Sequence, residues 1–208
     1  LQSFELELLQ DGRPSFEQLA VKAGGSLQGF VDTDNKVNGS AGLERIKATR
    51  PDLIISVRFG LIIGQDIIDI PRYGVINLHS GVLPSYRGVM ATLRAMLNGD
   101  SDIGSTLHFI QDSGIDTGDI ISVATFPLER QSSYLLNVLS LYSGGVKQIM
   151  DAVKTLSESN TLQSHSQQGI PRYFTFPTTA ELNHFSTQGY MLFDPQERTA
   201  ITRLYALN

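Results

Sequence analysis

Short apolar runs alternate with amphipathic stretches of helical spacing over the first eighty positions, and this alternation constrains the fold most strongly. Asp52–Val57 (DLIISV) and Gly74–Leu78 (GVINL) are β-branched and apolar without alternation, as strands covered on both faces require. Phe4, Leu6 and Leu8 alternate with Glu5 and Glu7, which predicts a strand over Phe4–Gln10, and a further strand is expected at Leu27–Val31. Ser15 stands where it can cap a helix carrying Phe16, Leu19, Ala20 and Ala23, with Gly24-Gly25 closing it. Ser40–Thr49 places Leu43, Ile46 and Lys47 at helical spacing, and Ile67–Ile70 closes a short helix at Pro71. Strands alternating with helices predict an α/β fold around an open, mostly parallel sheet.

The pattern then changes. Gly88–Asn98 reads as a helix stopped by Gly99, and Ser105–Ile110 and Ile120–Phe126 read as strands flanking the Gly-rich turn Ser113–Asp119. Ser132 to Ser157 is helical, with a break expected at Gly144-Gly145. Two parts are expected: residues 1–159 as the main domain, and residues 160–208 as an extension packed on or beside it. The extension carries Gln-, Ser- and Thr-rich linker residues, the aromatics Tyr173-Phe174-Thr175-Phe176, read as core, and a helix boxed by Thr178 and Glu181.

Composition narrows the chemistry. Of the 208 residues 41% are hydrophobic, enough to bury a core, and 16 basic against 21 acidic residues give a net charge of −5. No Lys/Arg cluster supplies the basic stripe that a phosphate backbone needs, so no nucleic-acid partner is expected. There is no cysteine, which excludes a disulfide framework, a thiolate nucleophile and thiolate metal sites, and fits a reducing cytoplasm. No apolar run reaches membrane-spanning length and no signal peptide is visible, so no membrane partner is expected.

Polar residues in apolar company mark two strand ends, which is where open α/β sheets bind ligands. Asn77 and His79 are two apart on a strand, so their side chains leave one face and can converge. An amide donor beside an imidazole suits a developing oxyanion and proton movement, although a structural Asn–His pair has the same spacing. Asp112-Ser-Gly-Ile-Asp-Thr-Gly-Asp119 holds three carboxylates on a Gly-punctuated loop, one of which can reach the imidazole; ordinary turn chemistry uses the same residues. His108, mid-strand, is read as a structural partner, with a His79–His108–Asp116 metal site as the alternative. His165 and His184 are expected to face solvent. Arg87 is read either as a helix and loop cap or as a carboxylate or phosphate partner.

Taken in order, these segments resemble the folate-dependent formyltransferases, which include methionyl-tRNA, glycinamide-ribonucleotide and sugar N-formyltransferases. The resemblance rests on Asn77-Leu78-His79, Val82-Leu83-Pro84-Ser85-Tyr86-Arg87-Gly88, Asn98-Gly99-Asp100, Gly104–Phe109 and Gly114–Asp119. It is strong over Asp52–Ile121 and looser over Phe4–Ala152. The resemblance implies a Rossmann-like sheet and a catalytic trio of Asn77, His79 and Asp116. Asn77 and a protonated His79 would stabilise the oxyanion, and Asp116 would keep His79 charged. It also implies N10-formyltetrahydrofolate as co-substrate, seated by Phe59, Gly60, Leu61, Ile62 and Ile63 with Gly114, Ile115 and Asp119. No metal is implied. The partner would be a small-molecule amine acceptor such as a sugar nucleotide, in a cytoplasmic protein for which a homodimer is open. Formyltetrahydrofolate hydrolysis and a non-catalytic folate- or nucleotide-binding module are the alternatives.

The sequence departs from the family pattern in two places. His79 to Asp116 is one residue longer, near Gln111. Phe4–Gln10 aligns with the family's second strand, so the first strand and its acceptor loop are expected to be missing from a chain that starts on Leu1. The residues after Asn160 are too few and too weakly basic for the β-domain of methionyl-tRNA formyltransferases, which disfavours a tRNA acceptor.

Overall fold

Strands β1 (Ile54–Val57), β2 (Val75–His79), β4 (Asp102–Ile110) and β5 (Ile120–Pro127) form a four-stranded sheet in the order β1-β2-β4-β5. The structure is a computed structural model that describes residues 14–27 and 37–204. The strand expected at Phe4–Gln10, and all but the first residue of that at Leu27–Val31, lie outside the described residues.

The α/β class is as expected, but the described sheet is mixed where a mostly parallel one was predicted. β1 and β2 are parallel, whereas β2–β4 and β4–β5 are antiparallel. Helix α4 (Ala91–Asn98) follows the two-residue strand β3 (Arg87–Gly88) in the connection after β2. From it the chain re-enters the sheet at the end where β2 stops, with Thr106 of β4 opposite His79, so the two strands run in opposite directions. The 113–119 turn then makes β4 and β5 a hairpin, with a register shift between Leu107 and His108.

Local signals set most helices. α1 (Phe16–Lys22) starts on the predicted Ser15 cap, with a reciprocal box to Gln18, and Gly24 takes a φ of 77° just beyond its end. α2 (Ser40–Thr49) and α3 (Gln65–Ile68) fall where helical spacing placed them. α5 (Tyr134–Ser159) is capped by the Ser133 hydroxyl and runs unbroken through Gly144-Gly145, contrary to the expected break. Those glycines serve close packing instead. A Cβ on Gly145 would lie 2.5 Å from Leu78 Cδ2, and one on Gly144 would run into the Phe126 ring.

Alternation on β2 divides the core. Ile76 and Leu78 face Leu107, Ala152 and Ile149 under α5, while Val75 packs on the other side with Ile63, Ile67 and Ile68. Each such buried aliphatic side chain contributes about 1.5–3 kcal/mol. A third cluster joins Leu93 and Met96 of α4 to Ile103, Leu141 and Phe185. β1 is half-open rather than covered on both faces: Val57 is 43% exposed.

Residues 160–204 pack back on the sheet. Ile120 and His165 exchange backbone hydrogen bonds of 2.8 and 3.0 Å. β6 (Tyr173–Phe174) pairs in parallel with β3. α6 (Thr179–Thr187) carries the predicted Thr178/Glu181 box, and Arg94 ion-pairs with Glu181 and donates to the Thr175 carbonyl at 3.0 Å. A 3-10 turn (Pro195–Glu197) leads into α7 (Arg198–Leu204), and Glu197 accepts hydrogen bonds from the Ser133 amide and hydroxyl at the start of α5.

Filling the notch at Gly145 sets overpacking, about 1–3 kcal/mol, against a helix-propensity gain of about 1 kcal/mol. Gly145→Leu is therefore expected to lower stability, read as a lower urea midpoint at unchanged slope.

Candidate active site

The cleft at the carboxyl end of β1 and β2 has a volume of about 610 Å³ and is lined by both regions singled out in the sequence. Register builds its floor. Ser56 of β1 pairs with Asn77 of β2, which pairs with His108 of β4. Directly opposite residues share a sheet face, so the three side chains form a row across the strands. Asn77 Nδ2 lies 3.1 Å from His108 Nε2, and His79, two residues on, leaves the same face with its ring 6.4 Å from that of His108.

His79 is buried, and both of its ring nitrogens face acceptors. Nε2 lies 2.7 Å from the Tyr86 carbonyl oxygen and Nδ1 lies 3.4 Å from Asp116 Oδ2. A neutral ring has one hydrogen for these two acceptors, and a protonated ring satisfies both. Burial pulls the His79 pKa below its ordinary value of 6.5, against the opposing pull of Asp116 and the Tyr86 carbonyl. Asp116 was expected to keep His79 charged; its pull acts in that direction, and burial opposes it more strongly.

Asp116 comes from the hairpin turn, as expected, and adopts a φ of 53°, the left-handed region that Asp tolerates better than most side chains. Its Oδ2 accepts from the Gly88 amide at 2.8 Å and its Oδ1 lies 3.4 Å from His108 Nε2. Burial alone would raise its pKa; the contacts with His108, His79 and the Gly88 N–H outweigh burial and hold it below the ordinary carboxylate value. The other two carboxylates of the turn do not reach the imidazole. Asp112 accepts from the Gly114 amide and the Thr117 hydroxyl, while the backbone of Asp119 closes the hairpin against Phe109 and Gln111. Asp119, expected among the folate-binding residues, is absent from the cleft lining, whereas Phe59, Gly60, Leu61, Ile62, Ile63, Gly114 and Ile115 are present in it.

Three residues carry more of this site than their sequence suggested. His108, read as structural, is 1% exposed and touches both Asn77 and Asp116 through Nε2, and its Nδ1 lies 2.8 Å from the Phe109 carbonyl. The signal was the antiparallel partner position of Asn77, which needs the strand direction. Tyr173 and Phe176, read as core, are 54% and 73% exposed and line the cleft. Only Phe174 of that run faces inward, stacked on Tyr86 with ring centres 6.1 Å apart. His165 and His184 are exposed, as expected. Among the described residues no group of three or more His, Cys, Asp or Glu side chains is arranged to hold a metal ion, and no helix is long and apolar enough to cross a membrane.

A mixed sheet with an Asn–His strand end facing a carboxylate turn defines an α/β protein with a polar cleft at its strand ends. The chain belongs to the formyl transferase family, whose model matches residues 17–134, more than half of the chain. It is 36% identical over 132 residues to the methionyl-tRNA formyltransferase of Francisella philomiragia, a match covering 63% of this chain and 41% of that protein. The chain thus spans about two fifths of the length of the curated relatives it matches. Among solved structures, the formyltransferase PseJ from Anoxybacillus kamchatkensis, in complex with UDP-4,6-dideoxy-4-formamido-L-AltNAc and tetrahydrofolate, is 25% identical with a TM-score of 0.54, over 67% of this chain and 72% of that one. A sugar N-formyltransferase from Shewanella sp FDAARGOS_354 shares the fold, with a TM-score of 0.57 at 19% identity over 67% of this chain and 55% of its own.

The lowered pKa of His79 has a signed consequence. The unfolded state takes up a proton near pH 6.5 that the folded state resists, so this contribution to stability is complete above pH 6.5 and is lost as pH falls through the lower folded value. Urea midpoints are expected to fall on acidification below pH 6.5, and less steeply in His79→Gln.

Proposed function

We propose that the chain transfers a formyl group from N10-formyltetrahydrofolate to a primary amine, with Asn77, His79 and Asp116 as its catalytic residues. One observation carries the reading: in a chain of this family, an amide, an imidazole and a carboxylate converge on one cleft, with His79 Nδ1 3.4 Å from Asp116. The amine nitrogen bonds to the formyl carbon, negative charge gathers on the formyl oxygen, and the bond from that carbon to N10 then breaks. One Asn77 amide hydrogen is given to His108, and the other is free to donate to the formyl oxygen where the charge develops. His79 takes the proton lost by the amine on Nδ1, where Asp116 stabilises the imidazolium, and returns it to the departing N10. An imidazole whose pKa burial lowers is suited to this work as a base.

The folate fits the cleft in size and character, because small-molecule sites are mostly apolar and of about 300–1,000 Å³. Phe59, Gly60, Leu61, Ile62 and Ile63, with Gly114 and Ile115, offer an apolar slot with backbone donors and acceptors for the pterin edge. We assign the acceptor to the sugar nucleotides. The exposed rings of Tyr173 and Phe176 on the cleft support this, as does the ligand named for PseJ. Residues 1–159 form the catalytic part in this reading, and the extension supplies one wall of its cleft.

The test is a screen with the formyl donor and, in separate arms, an amino sugar nucleotide, methionyl-tRNA and no amine, read by mass spectrometry for the added carbon. The amino sugar nucleotide is expected to gain it. Gain only by the tRNA reassigns the acceptor, and release of formate without an amine means hydrolysis. Asn77→Ala and His79→Ala are each expected to lower kcat about 100-fold or more. Wild-type turnover in both variants, with the donor still bound, would sink the catalytic assignment.

A further inference from the structure

Gln167 lies in the extension and does not line the cleft, yet its side chain ties together the segments that build the site. Its Nε2 donates to the backbone carbonyls of Asp116 and Gly118, both at 2.8 Å, and its Oε1 accepts from Arg87 Nε at 3.1 Å and Nη2 at 2.7 Å. Both amide hydrogens and both oxygen lone pairs are thereby used, which is the full capacity of a glutamine. Arg87 thus meets neither of the partners considered for it in the sequence, a carboxylate or a phosphate, but this amide.

The three segments joined are not neighbours in sequence. One is the turn bearing Asp116, whose φ of 53° persists only where surrounding contacts hold it. The second is Arg87–Gly88, whose Gly88 amide donates to the Asp116 carboxylate at 2.8 Å. The third is the extension itself, anchored just before Gln167 by the Ile120–His165 backbone pair. The carboxylate side of Asp116 is held by Gly88, and its peptide carbonyl is held by Gln167, which Arg87 holds in turn. Removing Gln167 leaves the carbonyl side without that support, while the flanking amides keep their own partners: Arg87 N–H donates to the Arg172 carbonyl and Val89 N–H to the Phe174 carbonyl, each at 2.9 Å.

We infer that Gln167 is a positioning residue, which fixes the Asp116 peptide against Arg87–Gly88 so that the carboxylate stays within reach of His79 and His108. The inference rests on the catalytic role proposed for Asp116, and it deepens that reading by making a residue of the extension part of the machinery.

Two variants separate the halves of the clamp. Gln167→Ala removes all four hydrogen bonds. Gln167→Glu keeps an acceptor for Arg87 but has no donors for the Asp116 and Gly118 carbonyls. Both are expected to lower kcat about 100-fold, as a misplaced catalytic group does, with KM for the formyl donor little changed. Wild-type kcat in Gln167→Glu would overturn the proposal, because the donors would then be idle. Amide hydrogen exchange supplies a readout that needs no turnover. In both variants Gly88 N–H is expected to exchange at least tenfold faster, while Arg87 and Val89 N–H stay protected. Unchanged exchange at Gly88 overturns the proposal. So does acceleration at all three amides together, which would mean that Gln167 merely holds the β3–β6 pair. If the wild-type chain turns over no formyl donor with any acceptor, the functional reading fails by itself, and the exchange pattern still decides whether Gln167 holds Asp116.

Discussion

The antiparallel pairing of β4 on β2 is the constraint on which the site depends. That ladder sets His108 beside Asn77 and Thr106 beside His79. Thr106 in turn donates through its hydroxyl to the Gly81 carbonyl at 2.7 Å and accepts from the Leu83 amide at 3.2 Å, and so steers the loop that leaves the strand. Side chains alternate with a period of two, so a one-residue slip would send Asn77 and His79 under α5 and bring Ile76 and Leu78 into the cleft. Leu78, fitted against Gly145, opposes that slip through packing rather than polarity.

Tyr86 is the second point at which several requirements meet. Its backbone carbonyl holds His79, and its hydroxyl donates to Asp100 at 2.5 Å beyond the far end of α4. Burial and that carboxylate push the phenol up to about 12, so it serves as a fixed donor and not as an acid. Arg172 sits 4.8 Å from the ring centre and Phe174 stacks on it, which brings the extension onto the segment that orients the imidazole. The ring of Tyr86 thus gives rigidity to a backbone carbonyl, and the carbonyl directs the imidazole.

What could be read from the sequence follows from how local each determinant is. The caps at Ser15 and Thr178 are settled within four residues, and both helices start where those residues stand. The Asn77–His79 spacing and the Asp-bearing turn are local as well. Gly144-Gly145 was misread because a helix-weakening pair and a close-packing pair are spelled alike; only the partners Phe126 and Leu78 tell them apart. His108 needed the direction of a neighbouring strand, and the outward faces of Tyr173 and Phe176 needed the position of β3, which lies more than eighty residues earlier. The surroundings of His79 are split in the same way: its carboxylate partner is legible in the sequence, whereas the burial that opposes its charge belongs to the folded chain.

The pairing of Arg87–Gly88 with Tyr173–Phe174 is only two residues long, yet it joins two regions more than eighty residues apart in sequence. The strand that presents Tyr173 to the cleft is the strand against which the Asp116-holding amide of Gly88 is set. A shift of that strand, unlike a change confined to an exposed ring, would therefore alter the cleft opening and the seat of the Asp116 carboxylate together.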